Sequence, residues 1–366
     1  MKLELGQKGF YQGINIVRKA VASNRTLPIL SSILIKAESG RIKLIATDLE
    51  VGIESFVEGK VLEEGSVLLP ANYLANIIKE LPREKIKLEL DSSKTKVSIK
   101  CRGSHFSINA GSPDDFPLLP EVKGALRLKV KQGKLKEMID SVDFAVSQDQ
   151  TKPFLAGGLL MVEDGEVRFI ATDTYRLAYK YNVIEDKGVS AEAIIPRKSM
   201  NELSKLLADL EDEVEVAITQ SQVLFEFSGI VVVSRLIEGQ FPNYKHVIPN
   251  TSKTQVSLKK GELLKAVKRA ALLARQDDNI IKLSFSPKEL VITAKAPQVG
   301  KAYEKVKISL KGEEAQIAFN VNYLIDSLKV VAEQEVIIEL SGPLAPGVVK
   351  TKKEDYISVI MPVRSA

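Results

Sequence analysis

The feature that most constrains this chain is that it repeats itself. Arg41-Ile-Lys-Leu-Ile-Ala-Thr-Asp48 returns as Glu166-Val-Arg-Phe-Ile-Ala-Thr-Asp173, which sets Thr47 against Thr172, 125 positions later. Val67-Leu-Leu-Pro70 pairs with Ala193-Ile-Ile-Pro196 at an offset of 126, and Phe116-Pro117 with Phe241-Pro242 at 125. A fainter third copy carries Leu290-Val-Ile-Thr293 at the first landmark and Ile317-Ala-Phe-Asn320 with Val321-Asn-Tyr-Leu324 at the second. A repeat at this period means one folding unit used several times. The chain has 366 residues, more than one hydrophobic core of roughly 250 to 300 residues serves, and it divides into three units of about 122.

Each copy reads as a short strand, an amphipathic helix and three strands, and then the same pattern again. In the first copy the helices are expected near 10–20 and 71–81, the second opened by Pro70 and stopped by Pro82. Equivalent helices are expected at 133–142, 197–209, 261–275 and 321–331. Strands in the first copy are expected at 2–6, 30–37, 41–47, 50–57, 67–69, 86–90, 95–100 and 104–109. Two helices and many antiparallel strands per copy make an α+β fold with helices on one face of the sheets. Proline-containing shifts in composition near Pro117–Gly124 and Pro249–Lys253 set the expected domains at 1–122, 123–249 and 250–366.

One cysteine, Cys101, and two histidines leave no disulfide framework and few metal ligands. The N-terminus lacks the apolar core of a signal peptide, and no run reaches the roughly 18 apolar residues of a membrane span, so a soluble cytoplasmic protein is expected. The net charge of +5 is small until it is located. Lysine and arginine in the six helical windows outnumber aspartate and glutamate by 13 to 7, while the rest of the chain nets −1. On one helix such lysines would simply be a solvated face. On six helices related by repeat they form a common basic surface if the copies stand around an axis, and such a surface attracts phosphates without reading bases. Aromatic residues are only 6% of the chain and do not interleave with the basic ones, which favours duplex over a stacked single strand.

Catalytic chemistry has one foothold. Asp48 and Asp173, each after Ile-Ala-Thr, are a carboxylate pair that could hold magnesium for a nuclease or nucleotidyl transferase. The third copy has Ala294-Lys295 after Thr293, which favours a turn role for the two aspartates. No phosphate-binding loop, zinc-protease motif or nucleophile elbow occurs. A binding scaffold unrelated to DNA is the third reading.

The paired Ile-Ala-Thr-Asp motifs, Thr172-Asp-Thr-Tyr-Arg-Leu-Ala178, Phe241-Pro-Asn-Tyr-Lys-His-Val-Ile-Pro249 and the terminal Ile360-Met-Pro-Val-Arg364 together resemble the bacterial sliding clamp family, the beta subunits of DNA polymerase III, over the whole chain. The resemblance implies a non-catalytic processivity factor of the DNA clamp fold that needs no cofactor. Three similar domains, each with two helices on antiparallel sheets, would form a closed ring as a head-to-tail homodimer around double-stranded DNA. It further implies a cleft for short linear motifs of the replicative polymerase alpha subunit, other polymerases and repair proteins, and loading by a clamp loader complex. The implied cleft residues are Leu155, Thr172, Tyr175, Arg176, Leu177, Pro242, Val247, Asn320, Tyr323, Val359, Met361, Pro362 and Arg364. Within that set Arg176 or Arg364 would hold polar or acidic flanks of the motif. DNA contacts would come from Arg25, Arg197 and Lys198, and the dimer contact from Phe106, Leu272 and Leu273. The chain departs from the family pattern in Tyr175, where some members have histidine, in Asn72 or Tyr73, where a basic residue is often seen, and in the extra Ser365-Ala366.

Overall fold

A computed structural model describes residues 1–22, 27–119, 125–149, 151–185 and 188–364. Among these are six α-helices: α1 (Gln7–Val17), α2 (Ala71–Glu80), α3 (Gln132–Val142), α4 (Arg197–Leu206), α5 (Lys260–Ala274) and α6 (Val321–Lys329). All six expected helices form, with shifted ends. The first begins three residues earlier than its apolar pattern suggests and finishes as a short 3-10 turn at Arg18–Ala20. Its start is fixed by a long-range contact: the Gln7 side-chain amide donates to the Ile78 carbonyl near the end of α2 at 2.7 Å. Lys260, which opens α5, donates in the same way to the Val331 carbonyl beyond α6 at 2.6 Å. Carbonyls that a helix end would otherwise leave orphaned are thus met by the first residue of the neighbouring helix.

The chain forms two compact units, Met1–Gly133 with Glu202–Leu236, and Lys134–Asn201 with Ile237–Ala366, so the division falls within α3 and α4. The first unit holds two antiparallel sheets. One has five strands in the order 59–63, 2–6, 85–90, 96–101, 104–109, and the other has eight in the order 126–131, 213–218, 222–227, 230–235, 51–57, 41–47, 32–38, 65–70. The second unit holds a nine-stranded sheet, ordered 191–196, 157–163, 166–172, 176–183, 356–360, 347–350, 335–340, 254–259, 309–312. It also holds a four-stranded sheet, ordered 300–307, 289–296, 280–285, 315–320.

The large sheets join strands from different copies of the repeat. Strand 51–57 pairs with 230–235, setting Gly52 opposite Val233 and Ile53 opposite Val232. Strand 176–183 pairs with 356–360 in the same register, setting Leu177 opposite Val359 and Ala178 opposite Ser358. Nothing in the apolar pattern marks this cross-pairing. The strands at 59–63 and 309–312 also differ from expectation, because their charged, mostly exposed residues carry no apolar alternation. The third copy aligns two residues later than its motif suggests. Its hairpin turns between Phe285 and Leu290, so Lys295 opposite Lys301, and not Thr293, corresponds to Thr47 opposite Gly52 and Thr172 opposite Leu177. A slip of two keeps every side chain on its original face, which is why the apolar pattern tolerates it.

Helices pack on the sheets through small residues. On α5 the buried face is Leu263, Ala266, Val267, Ala270, Ala271 and Ala274, in one core with Val321, Leu324, Ile325 and Leu328 of α6. On α1, a Cβ at Gly13 would stand 2.5 Å from Val57 Cγ2, so glycine lets the helix settle on strand 51–57. Truncating a core residue such as Leu324 to alanine would cost about 2 to 5 kcal/mol.

Candidate protein-binding cleft

The cleft is built on a turn that the repeat uses twice. Thr172 Oγ1 donates to the Arg176 carbonyl at 2.7 Å and accepts from the Thr174 amide at 3.1 Å. Asp173 Oδ1 accepts from the amides of Tyr175 at 3.0 Å and Arg176 at 2.9 Å. The same bonds recur in the first copy, with Thr47 bonded to Val51 and Leu49 and Asp48 accepting from Glu50 and Val51. Thr174 and Leu49 take φ values of 77° and 76°, an uncommon left-handed conformation that the side-chain bonds on either side hold in place. Both aspartates therefore serve the turn, and the third copy, with Ala296 at the corresponding position, does without that bonding. Among the described residues no group of three or more His, Cys, Asp or Glu is arranged to hold a metal.

Beside this turn lies a cavity of about 190 Å³ lined by Thr172, Thr174, Arg176, Leu177, Pro242, Tyr244, Val247, Val359 and Met361. Leu177 and Val359 face each other across the strand pair and are 1% exposed, so they form a fixed apolar floor. Val247 and Met361, 40% and 37% exposed, stand at its rim. The Met361 amide donates to the Tyr175 carbonyl at 2.9 Å, and the Val363 amide donates to the Ala318 carbonyl at 2.9 Å. The C-terminal segment is thereby pinned first to the turn and then to the edge of strand 315–320. Below the floor, Leu159, Ile170, Ile194 and Tyr244 complete an apolar cluster. Tyr244 stacks on Tyr179 with centroids 6.0 Å apart, and burial pushes the pKa of the Tyr179 hydroxyl up to about 12.

Arg176 is the polar hub. Its Nε meets Asp173 Oδ2 at 2.9 Å and its other arm meets Asp326 Oδ2 on α6 at 2.9 Å. Its guanidinium lies 4.5 Å from the Tyr323 ring centroid and 5.2 Å from that of Phe144. Burial raises the Tyr323 hydroxyl above its ordinary range, and the Asp173 carboxylate adds to this. From sequence, Arg176 or Arg364 is expected to hold polar or acidic flanks of a bound motif. In the structure the charge of Arg176 is already met by two carboxylates and two rings, so it braces the cleft wall.

Of the expected cleft residues, Thr172, Arg176, Leu177, Pro242, Val247, Val359 and Met361 line one cavity. Tyr175 stands beside it, 62% exposed, and Tyr323 reaches it through Arg176. Leu155 is buried in the 3-10 turn Pro153–Leu155 outside the lining. Asn320 caps α6, its Oδ1 accepting from the Asn322 amide at 2.9 Å. Pro362 follows the lining, and Arg364 lines a separate cavity of about 630 Å³ with Lys282, Gln316, Leu344 and Val363. Thr174 and Tyr244 line the main cavity although neither is among the residues expected from sequence. The available sign for them is the repeat, which sets them against Leu49 and Leu119.

Arg25, Ser365 and Ala366 lie outside the described residues. Arg197 opens α4 but is held by Asp143 through two bonds of 3.0 and 2.9 Å, so much of its charge is met within the protein. Lys198 beside it is exposed. Within the observed helix bounds twelve cations face six acids, and the surplus of six persists. Phe106 is 40% exposed on strand 104–109, Leu272 is 69% exposed on α5, and Leu273 packs partly into the core. No helix among the described residues is long and apolar enough to cross a membrane.

Models of the DNA polymerase III beta subunit match in chain order: the N-terminal domain at 1–120, the central domain at 129–243 and the C-terminal domain at 245–364. The beta sliding clamps of Bacillus subtilis (strain 168) and Staphylococcus aureus (strain Mu50) are each 33% identical to the chain, with all of both chains covered. The solved sliding clamp of Bacillus subtilis superposes with a TM-score of 0.96 at 32% identity, again over all of both chains. A sliding clamp from Pseudomonas aeruginosa bound to griselimycin gives 0.95 at 30% identity over the same full coverage. These likenesses leave the metal-dependent nuclease or nucleotidyl transferase reading without support, in agreement with the turn role of Asp48 and Asp173. The chain belongs to the DNA polymerase III beta subunit family of sliding clamps, non-catalytic factors of DNA replication.

Proposed function

We propose that two copies of this chain close head to tail into a ring of six similar domains, bounded at 1–122, 123–249 and 250–366 in each copy, around double-stranded DNA. One observation carries the reading. Strand 104–109 ends the five-stranded sheet and strand 300–307 ends the four-stranded sheet. Their equivalents in the other copies of the repeat, 230–235 and 356–360 for the first, 51–57 and 176–183 for the second, are paired with one another. The two open edges are therefore the two halves of a join made twice within the chain, and a second copy supplies what each lacks. Carrying the internal register across sets Ala302 opposite the partner's Phe106 and Tyr303 opposite the partner's His105. Leu272 and Leu273 on α5 would cover Phe106.

The helix charge surplus supports diffuse attraction for the duplex, without sequence reading, so that every register along DNA is nearly equivalent. Lys198 adds to that surplus at the start of α4, Arg197 beside it is partly neutralised by Asp143, and Arg25 is a contact on the family resemblance alone. The cavity at Leu177 and Met361 would receive short motifs of the replicative polymerase alpha subunit and of other polymerases and repair proteins. A clamp loader complex would open the ring, and the work would take place in the cytoplasm. Sedimentation tests the join: the chain should run as a dimer, and Leu272→Ala with Leu273→Ala should shift it toward monomer. An unchanged dimer would remove those leucines from the contact.

A further inference from the structure

The join between strands 51–57 and 230–235 has a cavity of its own, about 210 Å³, beside the first copy of the turn. Seven of the nine positions that line the cleft have counterparts in its lining; Val51, at the place of Arg176, does not line it. Thr47 and Leu49 stand where Thr172 and Thr174 stand, in the same hydrogen-bonded turn. Pro117 and Leu119 correspond to Pro242 and Tyr244, and Val233 to Val359. Even the apolar cluster beneath is reproduced, with Leu34, Ile45, Leu68 and Phe116 in place of Leu159, Ile170, Ile194 and Phe241.

Two exchanges set its chemistry apart. Gly52 replaces Leu177 on the floor, and Leu119 occupies the freed space: a Cβ at Gly52 would fall 2.0 Å from Leu119 Cδ2. The floor thus remains apolar but is supplied by a loop. Arg235 replaces Met361 on the rim, joined there by Glu50 and Gln222. Arg235 is exposed, and its backbone amide donates to the Glu50 carbonyl at 2.9 Å. Among the described residues its guanidinium makes no ion pair, so the charge faces the cavity mouth unmet. Leu49 and Leu118, 42% and 78% exposed, give the same rim an apolar lip.

We propose that this cavity is a second peptide-docking site, selecting short segments that carry a leucine anchor next to an acidic residue. The leucine would rest on Leu119 and Val233, and the carboxylate would meet Arg235, a charge that the cleft rim at Met361 does not offer. Glu50 and Gln222 would take the peptide's backbone amides. The inference rests on the reading of the cleft as a peptide site, because the same turn and floor are reused. Being smaller in apolar surface and more polar at the rim, the second site would be the weaker one and would discriminate by charge.

The test uses the full chain with methyl-labelled leucine, valine and methionine and a capped hexapeptide, Gly-Ser-Glu-Leu-Ser-Gly, followed by NMR. Methyls of Leu49, Leu118 and Leu119 report the second site, and those of Leu177, Val247 and Met361 report the cleft. Both sets should titrate, the first more weakly. Arg235→Glu should weaken the first set at least tenfold and leave the second unmoved, and a peptide with lysine in place of glutamate should restore it. Deleting Met361 to Ala366 should abolish titration at the cleft alone. If Leu49, Leu118 and Leu119 stay still, or titrate equally in Arg235→Glu, the proposal is wrong. If they titrate while the cleft methyls stay silent, the cleft reading fails and the second site stands.

Discussion

Arg176 and Asp326 meet at 2.9 Å across the wall of the cleft, tying strand 176–183 to α6. Because Asp173 takes the Nε edge of the same guanidinium, the turn, the strand and the helix are fixed by a single side chain. The arrangement gives the cleft a buried floor at Leu177 and Val359 and an exposed rim at Val247 and Met361.

Arg176→Ala should loosen that wall. The loss strips Asp173 of its cation, leaves Asp326 paired, among the described residues, with Lys329 at 3.6 Å, and uncovers Tyr323. A cost of about 2 to 3 kcal/mol is expected for a partly buried hub of this kind, and about a tenfold drop in affinity for a cleft-binding peptide. Arg176→Lys should recover little, since an ammonium has no planar face to lie against the two rings and no fixed fork to hold both carboxylates at once in this geometry. Urea unfolding and peptide anisotropy would measure the two effects. Equal affinity in all three proteins would show that Arg176 does not shape the cleft.

Lys180 predicts a pH dependence. It lies four residues along the same strand, 7% exposed, and is held by Glu137 at 2.7 Å and Asp355 at 3.0 Å. Burial alone would raise both carboxyls. At Glu137 the ammonium groups of Lys180 and Lys134 more than offset it, and at Asp355 the Thr351 hydroxyl and Lys180 do, so both lie below their ordinary range. For Lys180 burial acts downward and the two carboxylates more than reverse it, so its value is raised. Depressed carboxyls contribute stability that is complete above their unfolded values, roughly 4, and is lost as pH falls through the folded values. The raised lysine contributes stability complete below about 10.4 and lost as pH rises through its folded value. The contribution of this triad to stability should therefore be flat between about pH 5 and 9 and fall on either side. Lys180→Met should cost about 2 to 3 kcal/mol at pH 7, less than a fully buried pair because Glu137 and Asp355 keep some solvent contact. It should also flatten the acid limb, as read from urea midpoints across pH.

The register of the proposed join can be tested covalently. Residues directly opposite on antiparallel strands hold their Cβ atoms about 4.5 to 5.5 Å apart. Phe106→Cys with Ala302→Cys should crosslink two chains under mild oxidation, while Phe106→Cys with Gly300→Cys should not. Crosslinking in the second pair but not the first would mean that the internal register does not carry across.

How much of this is legible in the sequence follows from what each residue's signal depends on. The repeat, the six helices and the turn role of Asp48 and Asp173 are readable because periodicity and a short Thr-Asp motif are local. The pairing of 51–57 with 230–235 is not, since which strand edges meet depends on contacts far apart in sequence. The same cause hides the commitments of Arg176 to Asp326 and Arg197 to Asp143, which lie 150 and 54 positions away. Their partners are ordinary acids on helix faces or turns, and nothing in their spacing marks them. Tyr244 is in view within Phe241-Pro-Asn-Tyr, but its place in the cavity shows only once Val359 is set beside Leu177.

Enclosure of DNA by two chains, with topology and not affinity holding them there, is tested most directly by retention on a nicked circular plasmid. The protein is loaded, the salt is raised until surface charge is screened, and the plasmid is then linearised. The protein should stay on the circle and be lost once the plasmid has ends. Equal retention on circular and linear DNA, or release from the circle by salt alone, would contradict enclosure.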